Sequence, residues 1–127
     1  NIVAVTNILG GNLGWNLSAT ATTTLMTVAA EKIVKVNRIT VANVDGAAAA
    51  DVSLFVDGLT TAGATGISPT GASATVYLAK TISVPADATL VISDTPIYLM
   101  EGDILKGGAS AASDLDLFIS YEVLDDA

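Results

Sequence analysis

The residues of this chain argue against most enzyme chemistry and leave its acids as the main candidates. There are 13 Asp and Glu against 5 Lys and Arg, and neither histidine nor cysteine occurs. General acid–base catalysis near neutral pH most often uses histidine, nucleophilic catalysis most often pairs Ser or Cys with a base, and structural zinc takes Cys or His ligands. None of these sets can be assembled here. Two carboxylates facing each other across a cleft could still hydrolyse a glycosidic bond. Asp57, Asp94, Glu101 and Asp103 are the candidates. Nearly all fall in stretches that read as turns, where Asp bonds its own local backbone, so the turn reading outweighs the catalytic one. The sequence predicts no enzyme, no catalytic residue and no cofactor.

Three short motifs need the same weighing. "NVDGAAAAD", residues 43–51, has the N-x-D-G core of a calcium loop. An EF-hand would want an acid at Val41 and a Glu at Val52, so a turn on Asp45-Gly46 accounts for it better. "MEGD" sets Glu101 and Asp103 about a glycine, and the turn again needs no metal; no metal site is expected. Gly10-Gly11-Asn12-Leu13-Gly14 looks superficially like a phosphate loop, but it lacks the Lys-Ser/Thr pair and no helical pattern follows it.

The net charge of −8 bears on partners. Nucleic-acid binding relies on cations that displace phosphate counterions, and Lys32, Lys35, Arg38, Lys80 and Lys106 form at most one small cluster. No nucleic-acid partner is expected. No basic residue precedes Lys32, so the charged start of a secretory signal is lacking, and no apolar run approaches the ~20 residues of a spanning helix. No membrane partner is expected either.

The elements that would position side chains are strands. "LDLFISYEV", residues 115–123, alternates strictly, with Leu115, Leu117, Ile119, Tyr121 and Val123 on one face and Asp116, Phe118, Ser120 and Glu122 on the other. "DVSLFVD" sends Val52, Leu54 and Val56 inward and leaves Phe55 outside. In "KIVKVNRITVANV" the apolar phase changes from Val34 and Val36 to Ile39 and Val41, which predicts a bulge near Asn37-Arg38. "TTTLMTV" is β-prone and is expected to pair nearby. From residue 75 onward, turns at Pro85, Asp94-Thr95-Pro96, Glu101-Gly102-Asp103 and Gly107-Gly108 cut the chain into short strands. The fold class is all-β: one antiparallel β-sandwich, jelly-roll-like or immunoglobulin-like, of about eight short strands. Residues 1–16 read as an N-terminal arm and 17–127 as the sandwich, with a long loop over 58–73.

That loop, "GLTTAGATGISPTGAS", holds only Leu59 and Ile67 as sizeable apolar residues, and loops of such length are often functional. Phe55, Tyr77 and Phe118 fall on the outward phase, where exposed aromatics mark interfaces. Lys80 breaks the inward phase of Val76 and Leu78, which points to a bulge or an edge. Trp15 reads either as the anchor of the arm or, more simply, as a cap on the domain's own core. The partner-binding candidates are Phe55, Phe118, Tyr77, Trp15 and Ile67.

Taken together, "VAAEKIVKVNRITVANVDG", "YLAKTISVPADATLVISDTPIYLMEGDILK" with its expected hairpin at Pro85, and the final "LDLFISYEV" resemble the small β-sandwich virion proteins of tailed bacteriophages, above all capsid decoration (cement) proteins. The resemblance spans about residues 28–124. It implies a protein without catalysis, made in the host bacterial cytoplasm, that binds the major capsid protein on the outer surface of the virion, often as a homotrimer. Neck, tail and fibre proteins of phages share this appearance. A glycan-binding module is a further alternative, for which Trp15 with Tyr98 is the aromatic pair to nominate.

Overall fold

The computed structural model describes residues 7–59 and 66–125. Among them are nine strands and no helix: β1 (Asn7–Asn16), β2 (Thr24–Thr27), β3 (Lys32–Asn43), β4 (Ala50–Asp57), β5 (Val76–Val84), β6 (Thr89–Ser93), β7 (Ile97–Leu99), β8 (Ile104–Ala109) and β9 (Leu115–Asp125). They form two antiparallel sheets. The first has the order β1-β9-β3-β6, with β7 beside β6 along β3; the second has the order β2-β8-β4-β5.

The topology is that of a long hairpin rolled up. Folding the chain at the loop after β4 sets β4 against β5, β3 against β6 and β7, β2 against β8 and β1 against β9. Rolling the hairpin then adds β9 to β3 and β8 to β4. With β6 and β7 counted as one strand broken at Asp94-Thr95-Pro96, this is an eight-stranded jelly roll, whereas an immunoglobulin sandwich has sheets ABED and CFG.

The interior follows from alternation. On β9, Leu115, Leu117 and Ile119 are buried while Asp116 and Phe118 are exposed. On β3 the buried set runs Val34, Val36, then Ile39, Val41, and the register slips between Val36 and Arg38, where the change of phase predicted a bulge. Val52, Leu54 and Val56 of β4 complete one continuous core with Leu17, Leu105 and Val84. Burying such aliphatic side chains contributes roughly 1.5–3 kcal/mol each, against the entropy of ordering the chain.

Four expectations need correcting. Asn7–Asn16, read as part of an arm, is an edge strand in unbroken register with β9, so the sandwich begins at least at Asn7; residues 1–6 lie outside the described set. "SVPADATLVI" is not a hairpin within one sheet: β5 pairs with β4 and β6 with β3, so the turn carries the chain from one sheet to the other. That turn closes with the Ala88 N–H donating to the Pro85 carbonyl at 3.0 Å, with Asp87 at φ 59. β2 pairs not with a near neighbour but with β8. Finally, Val76 and Leu78 of β5 stay exposed, because β5 is an edge strand with two register slips that turn Ala79 and Val84 inward instead.

One close approach depends on glycine. The Ala109 N–H donates to the Ser18 carbonyl at 2.8 Å and the Gly107 N–H to the Thr23 carbonyl at 3.0 Å, so residues 18–23 lie along β8. A β-carbon on Gly108 would stand 2.5 Å from the Thr20 carbonyl oxygen.

Candidate functional site

Pairing register places side chains in rows across the outer face of the first sheet, because paired residues share a face. One row reads Gly14, Phe118, Thr40, Val91 across β1, β9, β3 and β6. It is uncharged, and its two large apolar members protrude: Phe118 is 48% exposed and Val91 42%. The rows on either side are polar. Asn16, Asp116, Ala42 and Thr89 form one, with the Asn16 amide donating to Asp116 Oδ1 at 2.7 Å. Asn12, Ser120 and Arg38 form the other.

Gly14 leaves room beside the Phe118 ring. A depression of about 390 Å³ opens there, lined by Gly14, Trp15, Asn16, Asp116, Leu117 and Phe118. Toward the far end of the sheet, Glu122 accepts from the Asn37 amide at 3.2 Å and faces Lys35 at 3.8 Å. Lys32 and Asp125, in the inward phase of Val34 and Val123, pair at 2.7 Å. The face thus sets the exposed Phe118 and Val91 between rows whose polar side chains hydrogen-bond and ion-pair along the sheet.

The second sheet's outer face is built differently. Phe55 was expected on the surface and is only 5% exposed. Its phase is outward, but the Tyr77 ring packs on it with centroids 4.9 Å apart, and Lys106 lies opposite it on β8. Cross-strand neighbours bury what alternation alone exposes. Tyr77 carries the exposed end of this stack, with Lys80 Nζ 5.2 Å from its centroid. Beside it, Asp57 accepts from Lys106 Nζ and from the Thr75 hydroxyl, both at 2.7 Å. The Lys106 ammonium, then Thr75 and the Gly58 N–H, lower the Asp57 pKa to about 2.

The remaining candidates are scattered. Trp15 packs half-buried against the core, in the inward phase of Leu117, so the cap reading describes it. Ile67 is 70% exposed, and residues 60–65 of its loop lie outside the described set. The Leu59 N–H donates to the Ala74 carbonyl at 3.0 Å and closes the neck of that loop. Trp15 and Tyr98 do not form a platform: they sit on β1 and β7, with β9 and β3 between them, and Trp15 points inward.

Beyond Asp57, the carboxylates nominated for catalysis lie apart in their surroundings. Glu101 accepts from the Glu31 N–H at 2.8 Å, which holds its carboxyl below the usual range. Asp103 is buried and accepts from the Met100 N–H at 2.8 Å; burial pushes its pKa up, partly countered by that bond. Asp94 is exposed in the turn between β6 and β7. Among the described residues, no group of three or more acids gathers as metal ligands would.

Sequence reading missed Asn43. It is 3% exposed, donates its amide to the Val84 carbonyl at 2.9 Å and the Ala48 carbonyl at 3.0 Å, and accepts from the Asp45 N–H at 2.9 Å. The Asp45 carboxylate in turn accepts from the Ala47 N–H at 2.9 Å. The "NVDG" motif is therefore a chain of local turns pinned to the end of β5. Its signal was the Asn itself, at an inward position of an alternating strand.

No family model matches the sequence, and no curated protein matches it. Among solved structures the chain is similar to one described as "Bacillus endospore appendages form a novel family of disulfide-linked pili", at 12% identity and TM-score 0.40, over 94% of this chain and 87% of that one. It is also similar to a pentameric capsid protein isolated from metagenomic phage sequences, at 18% identity and TM-score 0.26, over 96% of this chain and 67% of that one. At these scores neither likeness bears on what the chain does.

Proposed function

We propose that this chain is a non-enzymatic structural protein of a phage particle, a decoration protein that binds the outer surface of the capsid and stabilises the shell. The observation that carries the reading is the Gly14–Phe118–Thr40–Val91 row, an exposed apolar ridge bracketed by polar rows on an otherwise well-paired sheet. The sequence resemblance supports it, as does a chemistry poor in catalytic groups. Acidity suits an outer protein, which need not touch packaged nucleic acid.

The mechanism is mass action. A protein that binds the assembled shell and not its separated subunits shifts the equilibrium toward the shell by an amount set by its free concentration over its dissociation constant. Phe118, with the depression beside Gly14, supplies the anchor, since buried aromatics dominate such contacts.

The test is Phe118→Asp. Circular dichroism of the isolated variant should match the parent, because the side chain is half in water already. Co-sedimentation with shells of the coat protein should fall at least tenfold in affinity, about the loss expected for removing one aromatic anchor. Unchanged co-sedimentation would take Phe118 out of the contact, and failure of the parent to sediment with shells would remove the decoration reading.

A further inference from the structure

We propose that the free edge of β1 is a self-pairing surface, through which two copies of this chain join their first sheets antiparallel about a two-fold axis. Edge strands present unpaired N–H and C=O groups, and soluble proteins blunt them with charge, proline, bulges or short length. Three of the four edges here are blunted in those ways. β2 is four residues long and slips in register. β5 slips twice, carries Lys80, holds Thr81 at φ 47 and ends against Pro85. The edge formed by β6 and β7 is interrupted at Asp94-Thr95-Pro96.

β1 has none of these devices. It runs ten residues, "NILGGNLGWN", without Lys, Arg, Asp, Glu or Pro, and pairs with β9 in unbroken register. Among the described residues no strand lies on its other side. Leu9 and Leu13, in the inward phase of Trp15, are left 57% and 38% exposed, so the edge also leaves apolar surface uncovered. On the outer face Gly10 and Gly14 bear no side chain, and a β-carbon at Gly10 would meet nothing within 4 Å.

The occupant follows from the same inventory. With β1 the one described edge left open, the edge complementary to it on a second molecule is β1 itself, and a patch that pairs with itself makes a closed two-fold dimer. A ring of three would need β1 to pair with a different edge, and those are blunted, so this contact gives two copies and not the trimer the resemblance implies. Each copy carries a charge of −8, yet the strand itself is uncharged, so the backbones meet there without like charges side by side. An axis perpendicular to the sheet keeps outer faces together and, with the two Asn7–Asn16 strands overlapped along their full length, places Asn12 at or next to its mate.

The inference is independent of the shell reading and is tested on the free protein. Light scattering behind size exclusion should give twice the 12.7 kDa chain mass. Asn12→Lys sets two ammonium groups face to face, and should raise the dissociation constant about tenfold or more with an unchanged circular dichroism spectrum. Because the chain has no cysteine, Asn12→Cys should be captured as a dimer by a short bis-maleimide, and Ala112→Cys in the β8–β9 loop should not. If Asn12→Lys fails to fold, the cross-linking pair still decides. A monomer at the highest soluble concentration, a trimer, or a dimer that links equally through both positions would overturn the proposal.

Discussion

Replacing Asn43 by alanine should be among the most damaging single changes outside the aliphatic core. The amide makes two donated bonds and one accepted bond, and the residue is 3% exposed. The three partners differ in what they do when it is gone. Val84 is fully buried, so its carbonyl is stranded, at about 1–3 kcal/mol. Ala48 is exposed and Asp45 half-buried, so those two groups recover water and lose about 0.5 kcal/mol each. The sum is about 2–4 kcal/mol. For a chain of this size about 1 kcal/mol moves the midpoint by roughly 4 °C, so Tm should fall by about 8–16 °C. Thermal and urea unfolding followed by circular dichroism measure it. Asn43→Asp keeps the shape but turns an acceptor toward two carbonyls, which raises the pKa of the new acid. A raised carboxyl pKa favours the fold below it, so this variant should lose stability as pH rises through that value, with a larger deficit at pH 8 than at pH 4. An Asn43→Ala midpoint within about 1 kcal/mol of the parent would refute the claim that the amide pins β3 to β5.

Three further outcomes follow from the geometry. Phe55→Ala should cost about 3 kcal/mol and Phe118→Ala less than about 1, read from urea midpoints, because only the first ring is enclosed; equal losses would contradict the burial assigned to them. Asp57 has its pKa lowered from 3.8 to about 2, so its contribution is present above pH 3.8 and lost as pH falls toward 2. Asp57→Asn should therefore be less stable than the parent at neutral pH and show a shallower loss across that acid window, and an unchanged slope would break the link to Lys106. Gly108→Ala drives a β-carbon into the Thr20 carbonyl and should cost about 2 kcal/mol or more, whereas the same change at Gly10, which faces open space, should be near neutral by the same unfolding assay.

Where alternation was strict, it was legible. β9, the inward residues of β4 and the slip near Asn37-Arg38 all follow from period-two patterning, since one buried face fixes register. Phe55 was not legible, because its cover comes from Tyr77 on β5 and Lys106 on β8, and which strands would neighbour β4 is written in no local pattern. β1 was hidden by its glycines. Leu9, Leu13, Trp15 and Leu17 do keep an inward period of two, but the step at residue 11 is a glycine over which the Tyr121 ring lies, where a β-carbon would meet the ring at 2.7 Å. The Phe118 row could be half read: the exposed phenyl was evident from phase, whereas Gly14 and Val91 join it only through strand pairing between residues far apart in sequence.

The placement of β9 has a consequence for how the chain is born. β9 follows every other described strand in the chain yet lies between β1 and β3, so until Leu115–Asp125 has left the ribosome β1 has no described neighbour and β3 has only β6 and β7 on its other side. Until then Ile39 and Val41 have no Ile119 or Leu117 beside them, and the emerging polypeptide must wait with greasy residues uncovered. Its acidic charge helps keep such waiting chains apart. Emergence of Leu115–Asp125, rather than of the segments before it, is then the step that lets the first sheet close, and pairings this distant along the chain place such closure in the millisecond-to-second range.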